Sequence, residues 1–146
     1  MPQDTKKERV LFICTHNSAR SQMAEGFLNA LYGDRYEAYS AGTEPSSVNP
    51  YAVTVMAELG IDISTRQAKS VTEFLGGNFD YVVTICDAAQ ETCPVFPGAK
   101  ERIHKGFADP ATFEGTDEGR LKRFRLIRDE IKAWVEMRFG SRDTEE

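Results

Sequence analysis

Val10-Leu11-Phe12-Ile13-Cys14-Thr15-His16-Asn17-Ser18-Ala19-Arg20-Ser21 decides the fold. Val10 to Ile13 is apolar at every position, the pattern of a strand covered on both faces rather than one lying half in water. Beyond the loop, Ala24, Phe27, Leu28 and Leu31 recur at helical spacing and predict an amphipathic helix, with Gly33 as a left-handed stop. A buried strand, a short polar loop and a helix in direct succession open a parallel α/β sheet, in which ligands bind beyond the carboxyl ends of the strands. Cys14 stands at such an end.

The rest of the chain repeats the alternation. Tyr81 to Ile85 reads as a second buried strand, Tyr36 to Ser40 as a weaker one and Arg102 to His104 as a short last one. Asn49 as cap, Pro50 as first helical residue, the stripe Ala52, Val55, Met56, Leu59 and the terminator Gly60 mark a second helix. Ser70 with Glu73 forms a capping box for a short helix around Val71 to Leu75, and Gly119 to Phe139 carries Leu121, Phe124, Ile127, Ile131, Trp134 and Val135 along one face of a long helix ended by Gly140. The expected architecture is a three-layer α/β sandwich around a four-stranded parallel sheet. One domain over 1–146 is expected, with fraying at 1–7 and 140–146.

Composition narrows the function. A net charge of −5 offers no general attraction to nucleic acid or anionic membranes, so an anion must be held by a local device. No apolar run reaches the roughly 18 residues of a membrane span and the start is polar rather than a signal peptide, so a cytoplasmic address and no membrane partner are expected. Three cysteines are an odd set, which disfavours a static disulfide framework and leaves thiol chemistry or burial.

The loop from Cys14 supplies that device. A chain curling over Thr15, His16, Asn17, Ser18 and Ala19 into a helix that starts near Arg20 and Ser21 turns successive N–H groups inward, and the helix dipole adds positive character. The same dipoles, with the Ser21 hydroxyl as a donor, favour the thiolate of Cys14 and make it a nucleophile. Arg20 can grip two oxygens of a tetrahedral anion through a bidentate fork. Asn17 tolerates the left-handed backbone such a loop needs. Asp109, forced toward extended geometry by Pro110, is the candidate general acid if it overhangs the anion.

The stretch Cys14 to Gly26, CTHNSARSQMAEG, together with Thr84 to Pro94, TICDAAQETCP, resembles the thioredoxin-coupled arsenate reductases of the low-molecular-weight phosphotyrosine phosphatase superfamily. The likeness runs from about Val10 to Phe139. It implies arsenate as substrate, held by the loop N–H groups and Arg20 and attacked by Cys14 while Asp109 protonates the departing hydroxide. It further implies that Cys86 attacks Cys14, arsenite leaves, Cys93 attacks Cys86, and thioredoxin reduces the resulting Cys86–Cys93 disulfide. The residues themselves favour such a pair: Cys86 follows the second central strand and so reaches the same end of the sheet as Cys14. Seven helical residues would separate Cys86 and Cys93 by roughly 10 Å, against about 5.5 Å between disulfide-bonded Cα atoms, so pairing demands rearrangement. Some relatives carry a further cysteine where this chain has Ala19. Others bind a monovalent cation with an acidic residue where this chain has Lys69, whose ammonium either replaces the cation or is simply a solvated charge; no metal or cofactor is expected.

Other signals carry less. Cys14, Cys86, Cys93, His16 and His104 fit no familiar zinc spacing. Trp134 and the phenylalanines of the last helix recur at core spacing, and Arg120, Lys122, Arg123, Arg125 and Arg128 read as a solvated face. A monomer is expected. The rival enzyme is a phosphate-ester hydrolase needing only Cys14, and a third reading is an oxyanion-binding redox sensor without turnover.

Overall fold

The structure is a computed structural model that describes residues 7–85 and 99–140. The apolar runs become strands. β1 (Glu8–Cys14), β2 (Tyr36–Gly42), β3 (Tyr81–Thr84) and β4 (Glu101–His104) form a sheet of order β2-β1-β3-β4. Every neighbouring pair is parallel, as expected. β1 lies centrally, which explains why Val10 to Ile13 are wholly buried and why no position could be polar.

Helices α1 (Arg20–Tyr32), α2 (Pro50–Ala57) and α3 (Asp117–Phe139) complete the alternation. Phe12, Tyr36 and Tyr81, one from each of three strands, gather edge-on around Phe139 of α3 with centroids 5.1 to 6.3 Å apart. Tyr39, at the opposite alternation in β2, meets Phe74 and Phe79, so both faces of the sheet are covered. No helix among the described residues is long and apolar enough to cross a membrane.

Caps follow the sequence closely. Asn49 accepts from the Tyr51 N–H ahead of α2, and Ser70 with Glu73 makes the expected box, around a 3-10 turn at Val71–Phe74. Several expectations fail. Gly33 keeps a right-handed backbone with φ −64°, and α3 begins at Asp117, two residues early, because Thr116 caps it by accepting from Gly119. Burial in α1 stops at Leu28, leaving Leu31 39% exposed, and α2 ends at Ala57, leaving Leu59 42% exposed. The basic face of α3 is not simply solvated. Arg125 forks onto Glu58, and buried Arg128 donates to Glu58 and the Val55 carbonyl, fastening α3 to α2. Trp134 is partly buried against the core.

Candidate active site

Cys14 is the last residue of β1 and is buried. From it the chain turns through Thr15 to Ala19 into α1, and the turn is fixed by its carbonyls. Those of Cys14, Thr15, His16 and Ser18 accept from the N–H groups of Thr43, Glu44, Ser46 and Asn49 at 3.2, 2.7, 3.1 and 2.9 Å. In a planar trans peptide the following N–H points the opposite way. Bonding the outer edge of the loop to residues 43–49 therefore turns the N–H groups of Thr15, His16, Asn17 and Ala19 toward the hollow. Asn17 has φ 52°, the left-handed backbone anticipated for it.

A buried amide network holds that conformation. Asn17 Oδ1 accepts from Gln22 Nε2 at 3.0 Å and from the Lys69 main-chain N–H at 2.8 Å, which fixes the amide orientation. Its Nδ2 then donates to Ser21 Oγ at 2.8 Å, and the Ser21 hydroxyl lies 2.9 Å from Cys14 Sγ. The sulfur thus sits in hydrogen-bond contact with a hydroxyl at the amino terminus of α1. Gly42, at the end of β2, lies directly beneath the loop: a Cβ there would stand 2.6 Å from the Thr15 carbonyl oxygen.

Above the sulfur lies a pocket of about 60 Å³ lined by Cys14, His16, Ser18, Ala19, Arg20, Ser46, Asp109 and Ala111. Arg20 reaches over it, with Nη1 donating to the Phe107 carbonyl at 3.0 Å and Nη2 3.4 Å from Asp109. Asp109 caps the 3-10 turn Pro110–Thr112 by accepting from the Ala111 N–H. Cys14, Arg20, Asp109 and the loop from Thr15 to Ser21, singled out from the sequence, are therefore brought together. His16 is exposed, its Nδ1 bonded to the Glu44 carbonyl. Ser46, Gln22, Gly42 and Phe107 were not foreseen.

Cys86 and Cys93 lie outside the described residues; Ile85, immediately before Cys86, donates to the Ile13 carbonyl beside Cys14. The Lys69 ammonium donates to the Gln67 carbonyl. Arg66 Nη1 pairs with the buried Glu25 carboxylate at 2.6 Å. No cluster suited to a metal ion occurs among the described residues.

A buried thiol between a central parallel strand and a helix, under an arginine and an aspartate, is an arrangement suited to cysteine enzymes that act on oxyanions. The chain matches the low molecular weight phosphotyrosine protein phosphatase family over residues 9–139, and it belongs to that family. Its particular likeness is to arsenate reductases. It is 50% identical to one from Halalkalibacterium halodurans over 125 residues, 86% of this chain and 90% of that protein. A solved arsenate reductase in a phosphate-binding state superposes with TM-score 0.72 at 33% identity, covering 89% of this chain and 95% of that one. The thioredoxin-dependent arsenate reductase of Corynebacterium glutamicum gives TM-score 0.72 at 27% identity over 98% and 65% of the two chains.

Proposed function

We propose that the protein reduces arsenate to arsenite through a three-thiol relay, with thioredoxin as the reductant. The observation that carries the reading is Cys14 Sγ at the floor of the anion pocket, hydrogen-bonded to Ser21 beneath Arg20 and Asp109. The pocket has room for one tetrahedral anion, and among the described residues no Phe, Tyr or Trp side chain lines it.

Arsenate enters with its oxygens on the loop N–H groups and on the Arg20 hydrogens not spent on Phe107. The Cys14 thiolate bonds to arsenic, and the oxygen it displaces leaves with a proton from Asp109. Cys86 then attacks Cys14 Sγ, the sulfur–arsenic electron pair passes to arsenic, and arsenite departs from a Cys14–Cys86 disulfide. Cys93 attacks Cys86 and frees Cys14, and a thioredoxin dithiol reduces the Cys86–Cys93 disulfide by exchange. The two electrons that arsenic gains are those that the thiols, and finally thioredoxin, lose. The H. halodurans and C. glutamicum relatives support both halves of this reading.

Arsenate-dependent oxidation of NADPH, with thioredoxin and its reductase present, tests the proposal beside hydrolysis of an aryl phosphate. Many equivalents of arsenate reduced per protein are expected. Faster phosphate release from the aryl ester would make the chain a phosphatase, and a single stoichiometric oxidation without turnover would make it a sensor.

A further inference from the structure

One peptide strand, Lys105 to Asp109, touches both halves of the proposed chemistry. The Lys105 N–H donates to the Thr84 carbonyl at 2.9 Å, and the Phe107 N–H to the Ile85 carbonyl at 3.1 Å, so this strand is laced onto the end of β3 that leads to Cys86. On its other edge the Phe107 carbonyl takes Arg20 Nη1 at 3.0 Å across 87 residues of sequence. The Phe107 ring is the anchor. It lies edge-on to Trp134 of α3, centroids 6.3 Å apart, with the Lys105 ammonium 5.3 Å from its centroid, and it packs against the core.

Arg20 needs such an anchor. Its side chain is 11% exposed, and the guanidinium carries five N–H donors in a rigid plane, so whichever edge is fixed decides which edge faces the anion. The Asp109 contact, at 3.4 Å to a side chain 31% exposed, is too long to set that plane. The neutral Phe107 carbonyl fixes one corner without placing a carboxylate in competition with the substrate's own charge.

We propose that Phe107 is a positioning residue for oxyanion binding: its ring, seated on Trp134, holds the main-chain carbonyl that aims Arg20 into the Cys14 pocket. The proposal rests on the anion-binding reading of that pocket. It makes Phe107 act through Arg20 and not on the sulfur or the fold at large.

Binding of inorganic phosphate to the full chain, by calorimetry, is the test, with KM and kcat for arsenate beside it. Phe107→Ala frees the carbonyl to drift and is expected to weaken phosphate binding and raise the KM for arsenate about tenfold, the scale of one charge-assisted hydrogen bond. Phe107→Tyr keeps the ring and should bind within twofold of the parent. Leu121→Ala, a partly buried site on the same helix, lowers stability without touching Arg20 and should leave binding unchanged. Should Phe107→Ala not fold, Trp134→Leu removes the ring beneath Phe107 and is expected to weaken binding severalfold. A folded Phe107→Ala or Trp134→Leu protein that binds phosphate as the parent does would overturn the proposal, as would equal weakening by Leu121→Ala. A parent protein that binds neither phosphate nor arsenate would overturn the pocket reading itself.

Discussion

The two walls of the anion pocket are built in opposite ways. The cradle from Cys14 to Ser21 is tied to other parts of the chain at four carbonyls, which bond to residues 43–49, and at its Asn17 amide, which bonds to Gln22 and Lys69. Asn17, Ser21 and Gln22 are wholly buried. The facing wall is held by its own neighbours. Asp109 accepts from Ala111, and Thr112 Oγ1 donates to the Asp109 carbonyl. Among the described residues, Asp109 reaches across the site through its long contact with Arg20. The difference separates two tasks. Donors that must meet a developing charge without reorganising belong in an over-determined frame, whereas an acid that must approach a departing oxygen tolerates local freedom.

If the cradle is over-determined, small intrusions there should do more harm than the loss of whole groups opposite. Gly42→Ala is the severest case, because its Cβ would meet Thr15 oxygen at 2.6 Å and Asn17 nitrogen at 2.9 Å, both backbone atoms that cannot swing aside. Phosphate binding is expected to fall at least about a hundredfold, which calorimetry reads. Asp109→Asn removes the acid and leaves the cradle intact. Its single-turnover rate with arsenate should drop by about 10²–10⁴ while phosphate still binds within a few-fold. Loss of binding instead would mean that the two walls are not separable.

Ser21→Ala takes one hydrogen bond from the sulfur and should slow iodoacetamide alkylation of Cys14 near neutral pH by about tenfold. Smallest is Glu58→Gln, remote from the pocket. Hydrogen bonds from Arg125, then from Arg128, hold the Glu58 carboxyl below its ordinary value of 4.5. The ionised form is therefore favoured by folding, and its contribution is complete above that value and fades as pH falls through the lowered one. Thermal unfolding should come at most about 3 °C earlier for the variant at pH 7, with the difference closing in acid.

Legibility in the sequence followed the range of the interactions. β1, the loop and α1 are adjacent, so an apolar run, a polar turn and a helical stripe sufficed to place Cys14 and Arg20. The Asn17 backbone, the Ser70 box and the Asp109 turn are likewise local devices with local signatures. Gly42, Ser46 and Phe107 meet the loop or Arg20 across 25 to 87 residues, and no periodicity announces such meetings. Arg128 reads as surface because its acceptors, Val55 and Glu58, come from another helix. The Arg66–Glu25 pair joins residues 41 apart, so charge can be read along the chain but the partner of Glu25 cannot.

The relay itself is tested most directly by mass mapping of disulfides in Cys93→Ser protein after one equivalent of arsenate, quenched by rapid alkylation. A peptide pair joined through Cys14 and Cys86, formed in step with arsenite release, is the predicted product. Arsenite released while Cys14 and Cys86 are both recovered as alkylated thiols, with thioredoxin sustaining turnover at the parent rate, would contradict it.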